Sequence, residues 1–266
     1  MSIRSHIYFH NKELPEMQEQ IESLIKHINE HQFNIVDNSK NANIIISIGD
    51  DGDFLQAVRS TGFRHDCLYV GISTGEKISF YHDFLFEDAE KLLNALALEP
   101  LEVRSYPVLE VTIDKGSSYY CLNEFSIQSA IVKTFVMDIF IDELHFETFR
   151  GDGLIISTPT GSTGYNKSAH GSILDPLIPC LQVIELASIN NNQYRTLGNP
   201  FILSANRVLR LKIAKEGNEF PIMALDNEAL SIRHVENIEI KLSNKKIKTL
   251  KTDDNSFWHK VKRTFL

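Results

Sequence analysis

The pattern of hydrophobic and polar positions changes character near residue 105 of the chain. Before that point, short apolar runs alternate with amphipathic segments, which predicts alternating strands and helices and therefore parallel βαβ units. The predicted strands are Ile7–Phe9, Phe33–Val36, Ile44–Ile48 and Leu68–Ile72, and the predicted helices are Glu13–Glu30, Phe54–Arg59 and Glu87–Leu98.

After residue 105 the apolar residues recur at every second position, which is typical of antiparallel strands. A helix is predicted at Leu181–Ala187 and a closing helix at Ser256–Phe265. We therefore predict an α/β N-terminal domain, residues 1–104, followed by a β-rich C-terminal domain with antiparallel sheet, residues 105–266, whose last helix packs back on the first domain. The predicted strands of the second domain are Val108–Ile113, Tyr120–Ile127, Phe135–Ile141, Leu154–Ser157, Val208–Ile213 and Ile238–Leu242.

Composition narrows the functional classes. The chain is 42% hydrophobic and 23% charged, as globular proteins are. Its formal net charge of -8 argues against a broad basic surface for nucleic acid. It has no apolar stretch of membrane-spanning length, and its three cysteines form no Cys-x-x-Cys pair. We expect a cytoplasmic protein without nucleic-acid or membrane partners.

The first candidate site is the acidic glycine turn Gly49–Asp53, which lies between a predicted strand and a predicted helix. Ligands of open α/β sheets bind at the carboxyl ends of strands, and a helix N-terminus offers N–H groups to phosphate. A carboxylate placed there can accept a proton from a substrate hydroxyl. The alternative is an ordinary turn in which Asp53 caps the helix.

The second candidate is the pair Asn123-Glu124, inside a strand-like run. An amide beside a carboxyl group can hydrogen-bond to a ribose diol. The alternative is a solvent-facing position, because alternation turns every second strand residue outward.

The third candidate is the segment from Arg150 to Ser168, which concentrates glycines and small hydroxyl residues. Such residues let donors converge on an anion or a sugar, and Tyr165 can cover an adenine ring. The alternative is a turn rich in Ser and Thr. Residues 161–168 nearly spell a P-loop, but Asn166 replaces the required second glycine, which excludes that motif.

Other short motifs carry little weight. His27-Ile28-Asn29-Glu30-His31 spells H-x-x-E-H, but it stands at the polar end of a predicted helix and no third zinc ligand is indicated. The sequence contains no G-x-G-x-x-G dinucleotide fingerprint and no G-x-S-x-G nucleophile turn. No protein metal site is predicted.

Taken in order, the three candidate segments resemble the motifs of the NAD kinase family. That family has a G-G-D-G-T turn, an N-E pair and the motif D-G-x-x-x-S-T-P-T-G-S-T-A-Y, which Asp152–Tyr165 matches at every defined position except Gly164. The resemblance implies Asp51 as the general base. It implies substrate-binding roles for Gly52, Asn123, Glu124, Arg150, Asp152, Thr163, Gly164, Tyr165, Asn166, Lys167, Ser168 and Ala187.

The resemblance also implies the ligands and the assembly. They are NAD as acceptor, ATP with Mg²⁺ as donor, and a homodimer or homotetramer in which Asp152, Ala187 and Tyr194 serve a neighbouring subunit's substrate. Polyphosphate stays open as an alternative donor. Two other functions stay open: a lipid or sugar kinase, which shares the acidic glycine turn, and an NAD- or NADP-binding module that has lost transfer activity.

The sequence departs from the family pattern at the acidic turn. Asp50 replaces the second glycine and Asp53 replaces the threonine. Two unit charges about 4 Å apart interact by roughly 4 kcal/mol at an effective dielectric near 20. We therefore expect these acids to weaken the binding of a triphosphate. The Ser73–Phe80 loop also departs from the family pattern, by an insertion.

Overall fold

A computed structural model describes residues 6–10, 18–31, 33–97, 101–131, 133–214, 221–230, 234–252 and 255–266. The chain divides into two compact units, one formed by residues 1–106 and 245–266 and the other by residues 107–244. The last helix therefore belongs to the first unit, together with the N-terminal residues.

The described residues form five α-helices, seventeen strands and three short 3-10 helices. The helices are α1 (Gln18–Glu30), α2 (Asp51–Ser60), α3 (Ala89–Ala97), α4 (Tyr165–Ser168) and α5 (Phe257–Phe265), and the 3-10 helices are Ser39–Asn41, Phe86–Asp88 and Thr160–Thr163. The strands are β1 (His6–His10), β2 (Asn34–Ile35), β3 (Ile44–Gly49), β4 (Leu68–Ser73), β5 (Phe84–Leu85), β6 (Val103–Ile113), β7 (Ser118–Cys121), β8 (Glu124–Ser129), β9 (Phe135–Ile141), β10 (Leu144–Gly151), β11 (Gly153–Ser157), β12 (Cys180–Leu186), β13 (Phe201–Ser204), β14 (Leu209–Ile213), β15 (Pro221–Leu225), β16 (Glu228–Leu230) and β17 (Asn237–Leu250).

The first unit is built on a parallel sheet in the order β2-β1-β3-β4, with β5 and the end of β17 also paired to β4. Strands β3 and β4 are buried along their whole length, as central strands of a parallel sheet are. Their apolar side chains pack with those of α1 and α3. The buried core of this unit is Ile7, Leu24, Ile28, Ile44, Ile46, Ile48, Leu68, Val70, Ile72, Phe84, Leu92, Leu93, Leu96 and Leu250.

The second unit contains a six-stranded antiparallel sheet in the order β13-β12-β11-β8-β15-β16. Its inner face packs against side chains of β6, β9, β10, β14 and β17, which gives a sandwich with one apolar core. The largest fully buried aromatic residues of this core are Phe125, Phe135 and Phe149.

The segment between β11 and β12 packs on the outer face of the six-stranded sheet near Gln182. Gln182 of β12 is buried there, and its side-chain amide donates to Asn166 Oδ1 over 2.9 Å. The Ser172 backbone N–H donates back to Gln182 Oε1 over 3.0 Å. The third candidate segment is thus anchored on the sheet by buried polar contacts, which fixes the loop that it forms.

The predicted fold class is confirmed, since an α/β unit is followed by a unit rich in antiparallel sheet. The predicted helix Leu181–Ala187 is wrong, because residues 180–186 form β12. This strand is buried on both faces for most of its length, so its sequence lacks the alternation that distinguishes a strand from a buried helix. The closing helix is confirmed as α5. The first part of the predicted helix Glu13–Glu30 lies outside the described residues.

Candidate active site

The acidic glycine turn links β3 to α2 in the first unit. Helix α2 begins at Asp51, three residues before the predicted start at Phe54. Its N-cap is Asp50 and not Asp53: Asp50 Oδ1 accepts from the Asp53 N–H over 3.0 Å, and Asp53 Oδ2 accepts from the Asp50 N–H over 2.9 Å. This reciprocal capping box satisfies two N–H groups of the helix start and favours negative charge there.

Gly49 makes the capping box sterically possible. Its φ is +144°, and a Cβ at this position would lie 2.0 Å from Asp53 Oδ2. Any larger residue would therefore displace the carboxylate that closes the box. The acidic turn is a folded unit in which Gly49, Asp50 and Asp53 each have a structural role.

Asp51, the implied general base, is held by backbone N–H groups. Its Oδ1 accepts from the Tyr81 N–H over 2.7 Å and its Oδ2 accepts from the Phe80 N–H over 3.0 Å. His82 Nδ1 lies 3.5 Å from Oδ1. Burial raises the pKa of Asp51, but the hydrogen bonds and the nearby His82 outweigh it and hold this pKa below its ordinary value. Asp51 is therefore a carboxylate at neutral pH, as a proton acceptor must be.

Sequence reasoning did not select Phe80, Tyr81 and His82. The His82 ring is fully buried, and its Nδ1 lies 2.6 Å from Ser79 Oγ. The ring also fills the space above Gly71, where a Cβ would lie 2.8 Å from its Cδ2. The only signal in the sequence was the departure of the preceding loop from the family pattern, which did not indicate a contact with Asp51.

In the second unit, the Asn123-Glu124 pair lies at a break between β7 and β8. The predicted single strand Tyr120–Ile127 is wrong at this point. The break is stabilised by Asp226, whose carboxylate accepts from the N–H groups of Leu122, Asn123 and Glu124 over 3.1, 2.7 and 3.3 Å. The Asp226 N–H donates to Glu124 O over 2.8 Å. Asp226 lies in the turn between β15 and β16 and helps to shape the site. The sequence did not reveal this role.

Glu124 is buried, with 8% of its surface exposed, so the alternative of a solvent-facing residue is wrong for it. Burial, together with the nearby carboxylate of Asp226, raises the pKa of Glu124 to about 8, although a hydrogen bond from the Tyr165 backbone opposes this shift. At neutral pH the side chain is mainly the neutral acid, which can donate a hydrogen bond as well as accept one.

The third candidate segment packs directly on the Asn123-Glu124 turn. Thr158 Oγ1 donates to Leu122 O over 2.6 Å, and the Thr158 N–H donates to Asn123 O over 2.8 Å. A Cβ on Gly161 would lie 2.0 Å from Asn123 O, so only glycine permits this approach. A Cβ on Gly164 would lie 2.9 Å from Glu124 Oε2. The two predicted substrate segments of this unit therefore form one surface.

Asn166 holds that surface in place from within. It is fully buried; its Oδ1 accepts from Ser157 Oγ and Gln182 Nε2, and its Nδ2 donates to the carbonyl oxygens of Ser162 and Ser172. The amide thus has partners on both of its polar atoms inside the protein. These contacts favour a positioning role for Asn166, and the substrate contact predicted for it stays a prediction.

The outward residues of the segment are Thr163, Tyr165, Lys167 and Ser168. Tyr165 is 40% exposed, and its hydroxyl accepts from Gln128 Nε2 over 3.1 Å, which holds the ring at the surface. Lys167 and Ser168 are exposed, whereas Thr163 is half-buried and its Oγ1 donates to Thr160 O over 2.9 Å. Tyr165, Lys167 and Ser168 lie on α4, and Thr163 ends the 3-10 helix that precedes it.

Arg150, Asp152 and Ala187 lie together at one end of β10, β11 and β12. The Asp152 N–H donates to Leu186 O over 2.8 Å, and the Ile189 N–H donates to Arg150 O over 2.7 Å. The Arg150 guanidinium lies 4.3 Å from the centre of the Tyr194 ring, a cation–π contact. Asp152 and Ala187 are exposed. The structure therefore brings these predicted residues to one exposed corner of the second unit.

The described part of the chain contains no group of three or more His, Cys, Asp or Glu residues arranged to hold a metal ion. The imidazoles of the H-x-x-E-H segment bond to backbone carbonyls instead, His27 to Ser23 O and His31 to His27 O. None of the helices in the described ranges is both long and apolar enough to cross a membrane.

The chain is similar in sequence to a known protein family. The family model "ATP-NAD kinase C-terminal domain" matches residues 122–252. The chain is 61% identical to NAD kinase 2 of Bacillus subtilis strain 168 over 263 residues, which is 99% of this chain and 98% of that protein. It is 57% identical to NAD kinase 2 of Geobacillus kaustophilus, with the same coverage of 99% and 98%.

Solved structures share the fold at low sequence identity. A yeast NADH kinase complexed with NADH superposes with a TM-score of 0.84 at 19% identity, covering 97% of this chain and 86% of that one. An NAD kinase from Archaeoglobus fulgidus in complex with ATP gives 0.73 at 22% identity, covering 95% of each chain. This chain therefore shares its fold with these kinases. The chain belongs to the NAD kinase family.

The buried Glu124 predicts a specific pH dependence of stability. A carboxyl group whose pKa is raised by folding stabilises the fold fully below its unfolded pKa of 4.5, and this contribution is lost as the pH rises towards about 8. Glu124→Gln cannot ionise. We expect the variant and the wild type to melt at similar temperatures at about pH 5, and the variant to melt higher at about pH 9.

Thermal unfolding followed by circular dichroism at both pH values measures this difference. Glu90→Gln, at an exposed position on α3, is the matched control and should show no such trend. An equal difference in melting temperature at both pH values would contradict the assignment of a buried neutral acid.

Proposed function

We propose that this chain transfers the terminal phosphoryl group of ATP to the 2′-hydroxyl of the adenosine ribose of NAD, giving NADP and ADP. The observation that carries the proposal is the Asp51 carboxylate, held ionised by two N–H groups where β3 leads into α2. Membership of the NAD kinase family supports it. So do the fold relatives crystallised with NADH and with ATP.

In this mechanism Asp51 accepts the proton of the 2′-hydroxyl. The ribose oxygen then forms a bond to the terminal phosphorus, and the bond from that phosphorus to the ADP oxygen breaks, so that ADP leaves with the electron pair. The capping box uses the N–H groups of Asp50 and Asp53, and within the described contacts those of Asp51 and Gly52 are left to meet phosphate oxygens.

The second unit is assigned the binding of the acceptor. Asn123 and the neutral acid of Glu124 hydrogen-bond to the ribose hydroxyls, and the Tyr165 ring covers the adenine. Arg150, Asp152, Thr163, Gly164, Lys167 and Ser168 are assigned further substrate contacts. Because the backbone at Asn123 and Glu124 is held by Asp226 and Thr158, these two residues are positioned before the substrate binds.

Mg²⁺ accompanies ATP in this proposal, where it would neutralise phosphate charge. The described residues do not form a ligand set for it, since they contain no group of three or more His, Cys, Asp or Glu residues arranged to hold a metal ion. No step is assigned to the metal. Polyphosphate stays an alternative donor, and we place the enzyme in the cytoplasm, where buried thiols such as Cys67 and Cys180 stay reduced.

The two other functions considered from the sequence are not favoured. The identity of 54% or more to proteins named NAD kinase 2 covers essentially the whole chain, which argues against a lipid or sugar kinase. A binding module that has lost transfer activity is not favoured either. The acids that suggested such a loss form a capping box, and they leave the Asp51 carboxylate in place.

Asp51→Asn tests the assigned base. The amide preserves the shape of the side chain but cannot accept the proton, so we expect kcat to fall by roughly 100-fold or more while NAD still binds. A coupled assay for NADP formation and calorimetry with NAD measure the two quantities. Asp50→Asn, one residue earlier, is the control and should retain turnover. Near-native turnover of Asp51→Asn would remove Asp51 from the role of base.

Asp50 tests whether the anomalous charge repels the donor. Asp50→Ser removes the charge and retains a capping oxygen, so we expect a lower KM for ATP, an unchanged KM for NAD and native stability. Asp50→Ala removes the charge and the cap and should also lose about 1 kcal/mol of unfolding free energy. Steady-state kinetics and urea denaturation separate the two effects. An unchanged KM for ATP in both variants would show that the Asp50 carboxylate does not meet the donor.

We further propose a homodimer or homotetramer in which Asp152, Ala187 and Tyr194 serve a neighbouring subunit's substrate. The exposure of Asp152 and Ala187 at one corner of the second unit supports this. Mixing Asp51→Asn chains with Asp152→Asn chains should then restore about a quarter of wild-type activity, because half of randomly formed pairs keep one intact site. Light scattering gives the assembly size. Failure of the mixture to recover activity, or a fully active monomer, would refute shared sites.

A further inference from the structure

The orientation of Asp51 depends on two peptide groups that lie about thirty residues further along the chain. The Ser79–Phe80 peptide presents the Phe80 N–H to Oδ2, and the Phe80–Tyr81 peptide presents the Tyr81 N–H to Oδ1. A trans peptide is planar and its N–H and C=O point in opposite directions. Whatever holds the two carbonyl oxygens therefore also fixes the direction of the two N–H groups.

Both carbonyl oxygens are held by cations of the C-terminal helix α5. Lys260 Nζ donates to Phe80 O over 3.0 Å, and Arg263 Nη2 donates to Ser79 O over 3.0 Å. The same two side chains also donate to His82 O, over 3.4 and 3.2 Å. In each peptide group that donates to Asp51, the carbonyl oxygen thus accepts a hydrogen bond from one cation.

Such a chain of hydrogen bonds has an electrostatic consequence. A cation at the carbonyl end polarises the peptide, which strengthens the N–H as a donor to the carboxylate at the other end. The negative charge of Asp51 is stabilised by cations that do not touch it. His82 faces Asp51 directly, Asp53 lies two residues further along α2, and Asp50 is the N-cap of that helix.

Lys260 is buried completely, which is unusual for a lysine. Burial lowers its pKa to about 8, although the adjacent Asp83 opposes the shift. Its Nζ lies 2.7 Å from Asp83 Oδ1, and Arg104 Nη1 lies 3.6 Å from Asp83 Oδ2. A buried ion pair adds little net stability because desolvation offsets the attraction. Its effect here lies in aiming the ammonium at the peptide carbonyl groups.

We propose that Lys260 and Arg263 are positioning residues for Asp51, acting through the peptide groups of Ser79, Phe80 and Tyr81. The inference rests on the assignment of Asp51 as the base. Loss of either cation weakens the N–H donor of one peptide group. Loss of Lys260 also lets the Phe80–Tyr81 peptide rotate, whereas Ser79 O keeps the His82 N–H at 3.3 Å. The base then sits in more orientations and becomes harder to ionise, while the second unit's contacts with the acceptor are untouched.

The experiment compares Lys260→Met, Arg263→Met and the control Lys262→Met in the intact enzyme. Lys262 carries the same side chain as Lys260 on the same helix but is exposed. We expect kcat to fall roughly 10-fold or more in the first two variants, with the KM for NAD within about twofold of wild type. The acid limb of the kcat profile should move to higher pH, because weaker N–H donors raise the pKa of Asp51. The control should match the wild type.

A purely structural role would not move the acid limb, so this readout separates the two explanations. Arg263 is exposed, so its variant carries the test even if Lys260→Met does not fold, as thermal unfolding would reveal. An unchanged kcat and pH profile in folded Arg263→Met, or the same loss in Lys262→Met, overturns the proposal. If Asp51→Asn is inactive while both variants behave as wild type, the positioning role of Lys260 and Arg263 is wrong but the assignment of Asp51 as the base stands. If Asp51→Asn is active, the assignment of the base is wrong.

Discussion

One carboxylate, that of Asp226, determines the geometry of the second unit's site by accepting hydrogen bonds from three successive backbone N–H groups. The sequence pattern of residues 120–127 alone predicts one uninterrupted strand. The contact with Asp226 accompanies a break in that strand. The break turns Asn123 O towards Thr158, and the close approach of Gly161 follows from that turn. The contacts of Asp226 with residues 122–124 therefore help to position the loop that carries Tyr165 and Ser168.

The first unit uses the same device in another arrangement. Asp51 receives the N–H groups of Phe80 and Tyr81, and Asp50 and Asp53 receive each other's. Backbone donors have no side-chain conformational freedom to lose, so a carboxylate bound by them is ordered at little entropic cost. They also favour the ionised form. The acids of the turn are consequently ordered by the same kind of contact, which in Asp51 also lowers the pKa.

The sequence predicted those parts of the candidate site that consist of local motifs, and their functional roles stay predictions. Asp51 and the Thr158–Ser168 loop follow buried strands, and their residue types limit what such turns can do. The sequence did not predict the groups that act across long separations. Asp226 contacts a turn about a hundred residues earlier, and Lys260 contacts a segment 180 residues earlier.

Local pattern also misjudged particular residues for physical reasons. Lys260 stands in a basic, amphipathic tail helix, where a lysine is expected to face water, yet it is fully buried beside Asp83. Leu181–Ala187 was predicted as a helix, but residues 180–186 form β12, and burial of both faces of this strand removes the period of two. Asp50 and Asp53 were expected to repel the donor by their charge, and Asp53 was the alternative helix cap, whereas the structure has Asp50 as the N-cap and joins both acids in a capping box.

The two carboxyl groups assigned to the chemistry are driven in opposite directions by their surroundings. Hydrogen bonds lower the pKa of Asp51, whereas burial beside Asp226 raises the pKa of Glu124 to about 8. At neutral pH one group is a base and the other is mainly a neutral acid, and such a separation is what lets two carboxyl groups take different roles. A neutral Glu124 can donate a hydrogen bond to a ribose oxygen without repelling the phosphates of the nucleotide. An ionised Glu124 could only accept, and it would add negative charge beside an anionic substrate. The burial that costs this side chain its charge is thus the property that favours the ribose-binding role proposed for it.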